Sequence, residues 1–293
     1  MNTLYENNNL ILTEVRDFTL KDTFDCGQCF RWNALDDGSY FGIAGGRALK
    51  ISQEGGTVTL YGVSPSEFEN FWYRYFDFGR DYAAVRNALA SDGTLESAFE
   101  FGSGIRLLHQ SLWECIVSFI ISASNNIPRI KKIVELFCEN FGEKITYMGK
   151  DYYSFPTPEK TASLSIGDLQ VIRAGFRDKY ISDAAKKFLS DPEMSFEHLS
   201  SVSSERAKEI LLRINGVGSK VADCILLFGL GKYDCFPIDV WMKRIMEHCY
   251  FGGALQGKKT IAEYAHSHFG NLSGFAQQYL FFYARENKIG THE

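Results

Sequence analysis

Two rhythms of apolar and polar positions divide the 293-residue chain. From about Asn9 to Gly62 the pattern is strand-like. Leu49 and Ile51 alternate with polar neighbours, Val58 and Leu60 do the same, and Gly45-Gly46 and Gly55-Gly56 mark reversals. From Ser64 onward the period is helical, broken at Gly142, near Pro156-Thr157-Pro158 and at Gly216, with no low-complexity linker and no internal repeat. The pattern predicts an α+β protein in which a β-rich N-terminal domain, residues 1–103, packs its antiparallel sheet on a larger helical body, residues 104–293.

Within the helical body one break carries chemistry. Ala207, Ile210, Leu211 and Ile214 fall at i, i+3, i+4 and i+7, and Val221, Cys224, Ile225 and Phe228 repeat that spacing, so two amphipathic helices meet at Asn215-Gly216-Val217-Gly218. This predicts a helix-hairpin-helix over residues 206–230. Gly216 and Gly218 permit positive φ and leave amide N–H groups uncovered. The second helix adds its positive N-terminal end, which makes the turn an anion site suited to a DNA phosphate. A bare Gly-x-Gly turn also joins packed helices with no such role, so the flanking residues decide. Lys220 lies in the first turn of the second helix, where the helix dipole disfavours a cation and favours the neutral, nucleophilic amine. Asp239 follows Phe236-Pro237-Ile238 and precedes an apolar-periodic run, the position of an N-cap at the end of a loop over 232–240. A capping carboxylate can also face a pocket and stabilise a developing cationic sugar.

Gly216-Val217-Gly218-Ser219-Lys220-Val221-Ala222-Asp223-Cys224 followed by Pro237-Ile238-Asp239-Val240 resembles the helix-hairpin-helix glycosylases whose Gly/Pro-rich stretch ends in a catalytic aspartate. Within them it resembles the 8-oxoguanine DNA glycosylases of the eukaryotic type. The resemblance implies a twisted antiparallel sheet followed by two helical subdomains, with the active cleft between them. It makes Lys220 and Asp239 the catalytic pair. Gly27-Gln28-Cys29-Phe30-Arg31-Trp32 is similar to the family segment whose glycine carbonyl accepts the N7–H that only the oxidised base carries; guanine N7 is itself an acceptor and would be repelled there. Gly27, Cys224, Phe228, Pro237, Gln277 and Phe281 would line the base pocket, with Gln277 on the Watson–Crick edge and Phe281 stacked on the ring.

The same resemblance assigns DNA contacts to Ser124, Asn125, Asn126, Arg129, Phe176, Arg177, Gly216, Gly218 and Trp241. Three of these depart from the family pattern. Ser124 stands where an asparagine helps fill the hole left by the flipped base, Phe176 replaces a tyrosine wedge, and Trp241 replaces a histidine that touches a phosphate. Asn125 and Asn126 also read as helix caps ahead of Pro128, and both roles can hold together. The implied activity is that of a bifunctional glycosylase and abasic-site lyase, acting on duplex DNA containing 8-oxoguanine opposite cytosine. Two alternatives are a monofunctional alkylated-base glycosylase, whose usual hairpin lacks the lysine, and a non-enzymatic helix-hairpin-helix module gripping backbone alone.

Composition trims this picture without changing it. Seven cysteines at 26, 29, 115, 138, 224, 235 and 249 suit reduced thiols, and Cys26-Gly27-Gln28-Cys29 has no second C-x-x-C to complete a zinc site. No cysteine follows Cys249, so no C-terminal iron–sulfur ligand set is expected, and neither metal nor cofactor is implied. The net charge of −5 is unevenly spread: residues 1–100 carry 8 Lys/Arg against 15 Asp/Glu, and the rest carry 23 against 21. The hairpin region, with Arg129, Lys131, Lys132, Arg173, Arg177 and Lys179, is therefore mildly basic. No run of eighteen apolar residues and no signal-peptide pattern occurs, so a monomer free of membranes is expected, cytoplasmic and nucleoid-associated in a prokaryote or nuclear in a eukaryote.

Overall fold

The computed structural model describes residues 1–290. Six strands, β1 (Asn2–Glu6), β2 (Asn9–Thr13), β3 (Trp32–Ala34), β4 (Tyr40–Ala44), β5 (Arg47–Glu54) and β6 (Thr57–Tyr61), form one antiparallel sheet in the order β1-β2-β6-β5-β4-β3. Alternation works as expected: Leu10, Leu12, Leu49, Ile51, Val58 and Leu60 all point to one buried face. That face closes on an aromatic cluster in which the Trp32 indole stacks on Phe24 at 4.0 Å and donates from Nε1 to the Tyr75 hydroxyl at 2.8 Å.

One short helix interrupts the strand-like region. Helix α1 (Leu20–Asp25) begins where the Thr19 hydroxyl accepts a bond from Asp22 N, and it buries Leu20 and Phe24 one turn apart. Six residues are too few for the helical period to show against the alternation around them.

In the helical body α2 (Leu112–Ser122) is the central element. Its sequence is apolar on nearly every side, and nine of its eleven residues are buried. It packs against the helix over residues 219–230 and is followed by α3 (Ile127–Phe141). Residues expected to continue in helix instead form a hairpin, β7 (Lys144–Tyr147) and β8 (Lys150–Tyr153), between the breaks at Gly142 and Pro156. The reason is tertiary: the Tyr147 hydroxyl donates to Tyr61 O at 2.7 Å and accepts from Lys50 N at 2.9 Å, while Tyr152 packs on Phe41 at 4.4 Å between ring centres. The hairpin thus lies against the outer face of the sheet.

Sheet and helices are joined through a buried amide. Gln28 donates to the carbonyls of Thr23 at 2.9 Å and Arg106 at 2.7 Å and accepts from Leu108 N at 2.9 Å, while Gln110 donates to the Gln28 carbonyl at 2.7 Å. Arg106, also buried, reaches the carbonyls of Asp77 and Arg16 at 2.7 and 2.9 Å. Gln28→Leu keeps the volume and strands these buried partners, so it is expected to lower unfolding stability by roughly 2–4 kcal/mol. Urea denaturation measures this, and a loss below about 1 kcal/mol would show that the network carries little of the domain contact.

Candidate active site

Helices α5 (Ser204–Leu211) and α6 (Ser219–Leu230) form the expected hairpin pair, with α4 (Asp178–Ser190) beneath the turn. Gly216 has φ +87°, and a Cβ there would stand 2.6 Å from the Tyr180 ring, so glycine is required twice over. Gly218 differs from the expectation. Its φ of −94° is extended, and it serves as the N-cap of α6 without a side chain to occupy the first-turn amides. The exposed turn therefore presents free N–H groups at a positive helix end, as an anion site needs.

Lys220 leaves that first turn and runs inward. Its Nζ lies 3.4 Å from the Ser122 hydroxyl and 5.4 Å from the centre of the Phe119 ring, both on α2. Around it Gly27, Phe119, Cys224, Phe228, Pro237, Asp239, Gln277, Gln278 and Phe281 line one cavity of about 40 Å³. That is room for little more than one water molecule. Roomier clefts lie elsewhere, about 300 Å³ around His109 and about 510 Å³ around Lys243 and Leu255; the second also touches Asp239. Size does not single out the site. Chemistry does, because the small cavity sets the first-turn Lys220 amine and the Asp239 carboxylate in one lining with the buried, unpartnered Gln277 Oε1.

Asp239 is the N-cap of α7 (Val240–Ile245), its Oδ1 accepting from Met242 N at 2.8 Å. Its other oxygen takes no hydrogen bond among the described residues, and the side chain is half-buried at the cavity wall. One residue is thus both helix cap and cavity lining, with one carboxylate oxygen left unbonded among the described residues. Cys224, one turn beyond Lys220, is buried, and burial pushes its thiol up to about 11, although the Lys220 amine opposes the shift. It packs as a neutral thiol.

The opposite wall comes from the chain ends. Gly27, with φ +85°, leaves its carbonyl without a partner among the described residues. Gln277 and Phe281 stand one turn apart on α9 (Ser273–Glu286), which follows α8 (Lys258–Phe269). Gln277 is 4% exposed with an unpartnered Oε1, an uncompensated acceptor at a cavity. Phe228 stacks on Phe119 at 5.5 Å and 16°.

On the outer face Phe176 is 59% exposed, held between the Arg177 guanidinium at 4.4 Å and the Tyr180 ring at 5.9 Å. Arg177 departs from the expectation of a DNA contact. It is 4% exposed and donates to the carbonyls of Ala123, Ser124 and Ala174, so it braces the turn after α2 from inside. That turn needs bracing because Ser124 sits at φ +50°, a region non-glycine residues avoid. Asn125 donates to Ile121 O at 3.1 Å, and Asn126 caps α3 by accepting from Arg129 N at 3.0 Å. Arg129 is exposed, with no hydrogen bond or ion pair from its side chain among the described residues. Trp241 is half-buried, and Arg244, one turn on, stacks over its ring at 5.3 Å. Phe119, Ser122 and Gln278 were not singled out by the sequence reading, since on apolar helices they look like core.

Sequence profiles account for most of the chain in two pieces. Residues 10–116 match the 8-oxoguanine DNA glycosylase N-terminal domain, and residues 117–269 match the HhH-GPD superfamily of base excision DNA repair proteins. Among solved structures, an 8-oxoguanine glycosylase/lyase of Clostridium acetobutylicum, in complex with double-stranded DNA containing cytosine opposite 8-oxoG, is 42% identical. It superposes with a TM-score of 0.94 over 99% of each chain. MBOgg1, in complex with a low-affinity DNA ligand, is 45% identical with a TM-score of 0.94, covering 98% of this chain and 99% of the other. The N-glycosylase/DNA lyase OGG1 of Arabidopsis thaliana is 30% identical over 291 residues, 90% of this chain and 77% of the relative. The chain belongs to the HhH-GPD superfamily of base excision DNA repair proteins, in the branch that begins with an 8-oxoguanine DNA glycosylase N-terminal domain.

Proposed function

We propose that this protein excises 8-oxoguanine from duplex DNA, preferring cytosine opposite, and then cleaves the strand at the abasic site. One observation carries the reading: Lys220, the Asp239 carboxylate, the free Gly27 carbonyl and the orphan Gln277 oxygen line one cavity. An oxidised guanine offers N7–H to Gly27 and its Watson–Crick N–H groups to Gln277, so both acceptors find donors. Normal guanine meets Gly27 with a second acceptor and leaves both unpaired. The relative from Clostridium acetobutylicum, described with this lesion pair, supports the same substrate.

The cavity is too small for a purine as it stands, so half-buried Phe281 must swing aside as the flipped base enters. Lys220, as the free amine, attacks C1′ while the C1′–N9 bond breaks and the base leaves with that electron pair and gains a proton. Asp239 faces C1′ with its unused oxygen and offsets positive charge on the sugar. Opening of the sugar ring gives a Schiff base on Lys220. Loss of a C2′ proton and departure of the 3′ phosphate then nick the strand. The Gly216–Gly218 turn holds a backbone phosphate, Phe176 wedges beside the opposite base, and Arg129 reads its edge. No helix of the described residues is long and apolar enough to cross a membrane. The protein would act as a monomer on the nucleoid, or in the nucleus of a eukaryote.

Lys220→Gln is expected to abolish the adduct trapped by borohydride on 8-oxoguanine duplex and to cut excision on the order of 10³-fold or more. An undiminished adduct would exclude Lys220 as nucleophile. Asp239→Asn keeps the cap geometry and loses the charge, so single-turnover excision should fall roughly 10²–10³-fold with duplex affinity preserved; near-normal turnover would reduce Asp239 to a cap. In a panel of opposite bases, Arg129→Ala should narrow the cytosine preference by about 1–3 kcal/mol. An unchanged preference would place cytosine reading elsewhere.

A further inference from the structure

The Gly27 carbonyl reads the lesion only if it is held still, and Gly27 lies at the end of a short helix in a different domain from Lys220. Two side chains of α9 tie down the residues just before it. Gln278 Nε2 donates to the Cys26 carbonyl at 2.8 Å, and Arg285 Nη2 donates to the Asp25 carbonyl at 2.6 Å. The next carbonyl in sequence, that of Gly27, is the one left free. Arg285 also lies 5.4 Å from the centre of the Phe281 ring, and its Nη1 is buried without a partner among the described residues. A Cβ built on Gly27 would stand 3.1 Å from that Nη1 and 3.0 Å from Phe281 Cε1, so the arginine and the ring leave no room for a side chain at position 27. Glu286 accepts from Arg285 Nε at 2.9 Å and fixes the guanidinium from the solvent side.

We propose that Arg285 and Gln278 are positioning residues that clamp the 25–26 backbone to α9 and thereby set where the Gly27 carbonyl meets the base. Gln277 and Phe281 lie on the same helix. The clamp therefore fixes the spacing between the acceptor for N7–H, the acceptor for the Watson–Crick edge and the stacking ring. The inference deepens the reading of this cavity as an 8-oxoguanine pocket and rests on it. Hydrogen bonds weaken steeply with distance and angle, so a loosened clamp costs discrimination before it costs DNA affinity. Arg285 Nη1, facing Gly27, is a donor available to an acceptor that enters beside it.

The test uses the full chain carrying Lys220→Gln, which binds without cleaving. Affinity is measured for three duplexes with cytosine opposite 8-oxoguanine, guanine or a tetrahydrofuran abasic analogue. Added Arg285→Leu or Gln278→Leu is expected to lower the preference for 8-oxoguanine over guanine by about fivefold or more, with affinity for the base-free duplex within about twofold. Arg285→Lys, which keeps one donor for Asp25, should recover part of the preference. Thermal melting of each variant separates loss of fold from loss of reading. An equal loss on all three duplexes would make these residues general supports and overturn the clamp. A preference that survives both leucine variants overturns the clamp alone. A parent protein with no preference for 8-oxoguanine overturns the pocket reading and the clamp with it.

Discussion

Everything at the cleft depends on one buried primary amide. Gln28 is the side chain through which the sheet domain enters the helical body, and its bonds reach Thr23, Arg106 and Leu108. Its neighbours in sequence do the rest: Cys26 and Asp25 bond to α9 through their carbonyls, and Arg31 donates to Tyr153 O at 2.7 Å. A buried amide with its donors and acceptor satisfied has one geometry, since any slip leaves desolvated groups unpaired. That rigidity would let a carbonyl at position 27 serve the chemistry proposed at position 220.

The helical side of the cleft is built from helix ends. Lys220 lies in the first turn of α6, Asp239 caps α7, and Asn126 caps α3 behind the Ser124 turn. Each end supplies a fixed polar direction and one candidate side chain, while α2 behind them is apolar and closely packed. Asp239 shows the economy of this arrangement, because the bond that fixes its orientation uses only one of its two oxygens. This face carries exposed Arg129 and the uncapped turn before Ser219.

Legibility in the sequence followed locality. The sheet's alternation, the hairpin's spacing and the two catalytic candidates lie within short windows, so periodicity and capping rules reach them. Gly27 and Gln277 are 250 residues apart, and only likeness to a family joins them on sequence alone. Arg177 shows the opposite failure. An arginine beside an exposed aromatic reads as a DNA contact, yet the strained Ser124 turn offers two carbonyls, those of Ala123 and Ser124, that claim its guanidinium. The β7–β8 hairpin escaped because its stability comes from Tyr147 and Tyr152 touching a sheet some hundred residues earlier. Gln278 and Arg285 carry no local signal, since their partners are backbone carbonyls, which leave no trace in residue identity.

On the proposed reading, the small cavity around Lys220 separates this protein from its own cellular background. A free oxidised nucleoside or nucleotide from the metabolite pool would have to prise Phe281 away from Gly27 with nothing but its own ring. A nucleotide within a duplex would bring the proposed grip of the flanking phosphates on the hairpin turn and the exposed Phe176 ring to that work. The pool would thereby be kept from acting as an inhibitor, and vigilance confined to the genome.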